Sequence, residues 1–151
     1  MPIQWLCLPF SKLTTDQLYD LLKLRVDVFV VEQNCPYHEI DGRDRMEGVY
    51  HLLGYDGKEL AACARLLPQG VNFDNASIGR VITSPDHRGG GIGHTLMKQA
   101  SAHAQKLWPS QPIDLGAQQH LEAYYASHGF ETYSDMYLED GIPHVDMRLK
   151  P

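Results

Sequence analysis

Four glycines fall within five residues, at Gly89, Gly90, Gly91 and Gly93, between Arg88 and the apolar-periodic run that starts His94-Thr95-Leu96-Met97. Glycine tolerates positive φ and lets a backbone come close to a ligand. Where a helix starts, its first N–H groups have no intrahelical partner and its dipole favours an anion. By local chemistry this is a phosphate cradle, although an isolated glycine-rich turn also serves as a plain helix cap. Two well-known phosphate motifs are excluded. A Walker A loop carries Lys-Ser/Thr after its last glycine, and Gly93 is followed by His94-Thr95. A dinucleotide fingerprint needs G-x-G-x-x-G with an acidic residue about 20 residues on, and Gly89-x-Gly91-x-Gly93 has another spacing.

Positioning such a cradle takes a strand before it and a helix after it. Arg80-Val81-Ile82-Thr83 reads as the end of a strand over Ala76–Thr83, closed by Ser84-Pro85-Asp86-His87. Ile92, Leu96, Met97, Ala100, Ala104 and Leu107 then recur at helical spacing until Trp108-Pro109. Ile113–Ala117 is a short apolar strand, parallel to the one before the glycines if the crossover has the usual hand.

Upstream, Ile3–Leu8 is a strand, and Thr14-x-x-Gln17 has the form of a capping box. A helix follows to about Val30, and residues 34–50 form a long polar loop carrying Tyr37, Glu39 and Asp41. His51–Tyr55 and Glu59–Leu67 should form a hairpin on a type I′ turn at Asp56-Gly57. Downstream, Leu121–His128 is a short helix capped by Gly129. Phe130–Leu138 and His144–Leu149 pair around Glu139-Asp140-Gly141. The pattern is an α/β sandwich with a mixed, mostly antiparallel sheet, and residues 1–151 are expected to form one domain.

Arg88-Gly89-Gly90-Gly91-Ile92-Gly93 spells R-x-x-G-x-G, which resembles the pyrophosphate-binding signature of the GCN5-related N-acetyltransferases (GNAT). Tyr125-Ala126-Ser127-His128-Gly129-Phe130 is similar to the family's Y-x-x-x-G-F. Val30 to Tyr37 and Ile40-Asp41-Gly42 resemble its ElaA-type subgroup. The resemblance runs from about Trp5 to Arg148. It implies the GNAT acyl-CoA N-acyltransferase fold, with helices on both faces of the sheet and a splayed parallel strand pair. It also implies acetyl-CoA as acyl donor and a primary amine as acceptor.

The family's site then maps onto this chain residue by residue. The N–H groups of Arg88, Gly89, Gly90, Gly91, Ile92 and Gly93, with His94 beside them, would hold the diphosphate. Val81, Ile82 and Thr83 would pair with the pantetheine arm. The Val81 N–H would donate to the thioester oxygen, a contact worth about 3 kcal/mol in comparable sites. Tyr125 matches the tyrosine near the sulfur that acts as general acid, while Tyr124 is expected to anchor the short helix. Val81 and Ile82 also suit ordinary core packing, which main-chain contacts allow.

The base is open between Glu32, Glu39, Asp41, His51 and His120. His120 follows the strand bordering the splay, and Glu32 closes the first helix, where amine recognition is favoured over proton removal. Arg25 and Arg65 could take an acceptor carboxylate or pair with local acids. Against catalysis stands a non-catalytic acyl-CoA-binding module of the same fold, and within catalysis a protein-lysine acyltransferase.

Bulk properties narrow the partners. A net charge of −6 without a basic run argues against nucleic acid and suits a cationic amine. Cys7, Cys35 and Cys63 are few and widely spaced, which points to free thiols in the cytoplasm. No apolar run is long enough for a membrane span, and the start lacks signal-peptide features. No C-x-x-C or H-x-x-x-H occurs, so no metal site is expected. A homodimer is common among such proteins.

Overall fold

The computed structural model describes residues 2–151. Its strands are β1 (Gln4–Pro9), β2 (Tyr50–Asp56), β3 (Glu59–Leu67), β4 (Ala76–Thr83), β5 (Ile113–Gln118), β6 (Glu131–Thr132), β7 (Tyr137–Glu139) and β8 (Ile142–Leu149). Helices are α1 (Thr15–Arg25), α2 (Ile92–Leu107) and α3 (Glu122–Ala126). All eight strands join one sheet in the order β1-β2-β3-β4-β5-β8-β6, with β7 also on β8. Only β4 and β5 pair in parallel; the other neighbours are antiparallel.

The pleat sends alternate side chains to opposite faces, and each face receives a helix. Leu53, Cys63 and Ile82 meet Leu21, Leu24 and Val28 of the first helix. Leu52, Ala62, Ala64 and Ile78 meet Leu96, Met97, Ala100 and Ala104 of α2. Small residues on β3 and α2 let that helix lie close to the sheet. Leu96 is fully buried there, so Leu96→Ala should cost about 2–5 kcal/mol.

The capping box at Thr14 and Gln17 forms in both directions, at 3.1 and 2.9 Å. The helical segment ends at Glu32, close to the expected Val30, but it leaves the α form at Arg25. It runs on as a π-turn over Val26–Glu32, with Gln33 N–H bonding Val28 O and Cys35 N–H bonding Val30 O, each at 3.1 Å. π-turns recur at functional sites. This one carries Phe29, Glu32 and Gln33 into a cavity wall.

Three local expectations are corrected. The β2–β3 loop is Gly57-Lys58 rather than Asp56-Gly57, since Asp56 pairs with Glu59. Gly57 has φ of 60° and Lys58 is not left-handed, which fits a type II′ turn. A register irregularity at Gly54/Tyr55 shifts the loop by one residue. The strand expected over Phe130–Leu138 is split into β6 and β7, both pairing with β8. The short helix starts as a 3-10 turn over Gln119–Leu121, and its regular part is Glu122–Ala126. Gly129 closes it at φ of 91°.

Candidate active site

β4 and β5 are paired only at Ala76–Ile113 and Ser77–Asp114. Beyond that point the two strands part, and a cavity of about 1010 Å³ opens between them. Its walls include Val81, Ile82 and Thr83 from β4, and Gly116 and Gln118 from β5. From Ile78 onward the edge of β4 facing β5 has no strand partner. Such an edge can pair with an extended ligand as a neighbouring strand would.

A bulge shapes this part of β4. Cys63 pairs with Ile82 and Arg65 with Gly79, so Arg80 and Val81 together stand opposite Ala64. Arg80 takes φ of 51°, a conformation rare for a side-chain-bearing residue. The bulge precedes the stretch that the resemblance assigns to the thioester.

At the wide end of the gap lies the glycine cluster. Gly89 and Gly91 take φ of 97° and 80°, and Gly91 forms the N-cap of α2. Among the described residues, no acceptor meets the N–H groups of Gly89, Gly90, Gly91, Ile92, Gly93 or His94. A methyl group at Gly89, Gly90 or Gly91 would meet nothing within 4 Å. Unpartnered donors at a helix start are the groups that an anion would need. The Tyr124 hydroxyl donates to Gly93 O and docks α3 onto α2. His94 Nδ1 lies 2.9 Å from His128 Nε2 on the outer side.

Arg88 is bidentate with Glu32, at 3.0 and 2.8 Å, and also donates to Thr83 O at 3.1 Å. Those guanidinium bonds hold the Glu32 carboxyl below its ordinary range. Glu32 thus ties the π-turn to the cradle.

Tyr125 is 6% exposed, and its side chain lines the same cavity. Its hydroxyl has no hydrogen-bond partner among the described residues. Burial, aided by Tyr124, pushes the phenol up, so the proton stays in place at neutral pH. His120 sits exposed in the 3-10 turn at the cavity mouth. The cavity therefore brings together Val81, Ile82, Thr83, Arg88, Gly93, Tyr125, Glu32 and His120. Gly89, Gly90, Gly91, Ile92, His94 and His51 are not in its wall.

The far wall is the loop over residues 34–49, held by buried ion pairs. Arg25 is fully buried and meets Glu39 Oε2 and Asp44 Oδ1, each at 2.6 Å. Arg65 grips Asp41 with two bonds of 2.9 Å and Asp44 with one of 3.0 Å. Arg80 reaches Glu39 at 2.9 Å, and the Tyr37 hydroxyl donates to Glu39 Oε1 at 2.6 Å. Arg25 and Arg65 thus pair with local acids, the second of the two readings open to them.

Burial disfavours the Asp41 charge, but the Arg65 bonds outweigh it and hold the carboxyl far below its usual range. Asp44 follows the same pattern, with Arg25 opposing burial. His51 is fully buried with Nε2 on Asp44 O at 2.9 Å, and burial holds its pKa low. Glu39, Asp41 and His51 are thereby committed to structure. Removing one partner of such a buried set typically costs about 3–5 kcal/mol.

Sequence reasoning passed over Arg80, Asp44 and the β7–β8 residues Tyr137, His144 and Asp146. Arg80 directly precedes the assigned thioester strand, and Asp44 completes the acids of a loop already singled out. Nothing local marks His144.

Comparison with known proteins agrees with this geometry. The family model described as an acetyltransferase (GNAT) domain matches residues 19–151. Protein ElaA of Escherichia coli K12 is 46% identical over 145 residues, covering 96% of this chain and 95% of that protein. The crystal structure of Escherichia coli ElaA superposes with a TM-score of 0.92 at 44% identity, covering 98% and 99% of the two chains. An acyl-CoA N-acyltransferase from Pseudomonas aeruginosa gives 0.91 at 44% identity, covering 97% and 99%. With the family model matching most of the chain and the identity to ElaA running over nearly all of both proteins, this chain belongs to the GNAT acyltransferase family, among its ElaA-like members.

Proposed function

We propose that the protein is an N-acetyltransferase that moves the acetyl group of acetyl-CoA to a primary amine by direct attack. The observation that carries the reading is the open edge of β4 along one wall of the cavity, with Arg88 and Gly93 in the same wall and the unpartnered N–H donors of the α2 start beside them in the chain. Acetyl-CoA supplies the activated thioester. Gly89 to His94 bind its diphosphate, and Val81 to Thr83 pair with its pantetheine arm.

The Val81 N–H meets the carbonyl oxygen as negative charge builds on it. The Tyr125 hydroxyl, protonated and unpartnered, gives its proton to the departing sulfur. Glu32, in the wall and held by Arg88, receives the cationic amine, with His120 at the mouth. The negative charge of the chain favours such a cation over an anionic acceptor.

The test is thiol release from acetyl-CoA against alkylamines, polyamines, amino acids and amino sugars. Amine-dependent release is expected for at least one class. Coenzyme binding that raises Tm with no release for any acceptor would instead identify a non-catalytic binding module.

A further inference from the structure

The β7–β8 hairpin holds a histidine that the roles above leave unused. β8 pairs with β5 so that His144 stands opposite Gln118, at the end of β5 where the gap from β4 is open. His144 is 8% exposed and contributes to the cavity wall. Its Nδ1 lies 2.7 Å from Ile142 O. A carbonyl oxygen only accepts, so Nδ1 carries the hydrogen and the neutral ring has its lone pair on Nε2. Glu139 Oε2 is 3.5 Å from Nε2, placed to stabilise the ring once a second proton arrives. Tyr137 stacks on the imidazole with centroids 5.9 Å apart, and is itself held by donation to Asp146 Oδ1. A cavity imidazole with its tautomer set through Nδ1, a lone pair on Nε2 and a carboxylate beside that same nitrogen has the parts of a general base whose charged form is stabilised.

The other candidates lack one of these parts. Glu32, Glu39 and Asp41 are bound by arginines, and His51 is buried against Asp44. His120 is exposed, with no side-chain hydrogen bond to another described residue that would set its tautomer.

We propose that His144 Nε2 takes the proton from the incoming ammonium, with Glu139 balancing the imidazolium, and that the acceptor is a strongly basic primary amine. The inference rests on the amine-acetylation reading. Glu139 and Asp146 add negative charge to the same wall, which suits a substrate that arrives as a cation. The ammonium gives one proton to His144, and the freed lone pair forms the C–N bond. The C–S bond breaks, and the leaving sulfur takes the Tyr125 proton. The surplus proton on the new amide nitrogen returns through solvent to Tyr125. His144 releases its proton to solvent, so one proton is produced per amide formed.

The experiment measures kcat and kcat/KM against pH for wild type, H144Q and E139Q, with the best acceptor from the amine panel, and coenzyme Kd for each. Wild type should be active at neutral pH without needing the amine to be neutral in solution. H144Q should be about 100-fold slower at neutral pH. It should then gain about tenfold per pH unit toward the amine's own pKa, as solvent supplies the neutral amine. Its coenzyme Kd should be unchanged.

Glu139 is exposed, so E139Q leaves the fold intact; it should lower kcat several-fold with coenzyme Kd unchanged, because the imidazolium loses the carboxylate 3.5 Å away. Groups facing the ring are Tyr137 and Glu139 of β7 and Gln118 of β5, with Asp146 behind Tyr137, and none is altered by H144Q. Wild-type rates in H144Q, or a loss without alkaline recovery, overturn the proposal. If H144Q does not fold, E139Q decides: a lower kcat with unchanged coenzyme Kd supports the base and a wild-type kcat overturns it. Should wild type acetylate no amine of the panel, the acetylation reading itself fails and this proposal with it.

Discussion

Arg80 leaves the regular path of β4 at φ of 51° and lays its guanidinium 2.9 Å from Glu39. One residue thereby joins the bulge in β4 to the loop over residues 34–49 on the far wall of the cavity. The left-handed conformation costs a residue with a Cβ about 1–2 kcal/mol. Contacts with Glu39 and Asp41, and the Tyr37 ring 5.6 Å below the guanidinium, offset it.

Arg80→Ala and Arg80→Gly both remove those contacts, but only glycine relieves the backbone. Arg80→Gly should therefore be the more stable of the two by about 1 kcal/mol, read from urea midpoints. Equal midpoints would show that the bulge carries no strain.

Gly90→Ala separates ligand contact from chain stability. Gly90 is not left-handed and its missing Cβ faces open space, so stability should change by less than about 0.5 kcal/mol. If the coenzyme binds as proposed, the added methyl meets its diphosphate, and coenzyme Kd by calorimetry should rise about tenfold, a loss of about 1.4 kcal/mol. Gly91→Ala should add a stability loss of about 1–2 kcal/mol from its φ of 80°. An unchanged Kd in Gly90→Ala would place the coenzyme elsewhere.

The two adjacent tyrosines should respond in opposite ways to loss of the hydroxyl. Tyr125→Phe breaks no hydrogen bond among the described residues, so Tm should hold while kcat falls about 100-fold. Tyr124→Phe removes the bond to Gly93 O and should cost about 1 kcal/mol of stability. Stopped-flow or steady-state thiol release together with calorimetry reads both. A Tyr125→Phe enzyme with wild-type kcat would assign the sulfur's proton to another donor.

Stability should fall with acid in two stages. His51 is held below its ordinary pKa by burial, so the unfolded chain takes its proton first. Its contribution is present above about pH 6.5 and drains as pH falls below that value. Asp41 and Asp44 are held low against burial by Arg65 and Arg25 respectively. Their contribution is present above about pH 4 and is lost below it. Tm measured from neutral pH downward should show both declines, and His51→Gln should flatten the first while leaving the second. A first decline that survives in His51→Gln would assign it to another group.

The cradle was legible because its parts are contiguous. Strand end, Arg88, glycines and amphipathic helix follow one another, and backbone rules act over a few residues. The same holds for the Thr14 capping box and the Gly129 cap. The hairpin turns show where local rules stop. Asp-Gly occurs in both Asp56-Gly57 and Asp140-Gly141, and only the second has both residues left-handed, at 50° and 77°. At the first, the irregularity at Gly54/Tyr55 shifts pairing by one residue, and a period of two makes that shift decisive.

The order of strand, anion cradle and helix, and with it the family, was determined by the sequence alone, because a handful of neighbouring residues carries that chemistry. Which acids are spent on arginines and which base faces the cavity was decided only by the tertiary structure. Arg25 meets Asp44 across 19 positions and Gln33 meets Gln118 across 85. His144 reaches the cavity only because β8 lies beside β5 where β4 turns away. Charge and hydrogen bonding depend on distance in space, and chain separation says little about that until the sheet has formed.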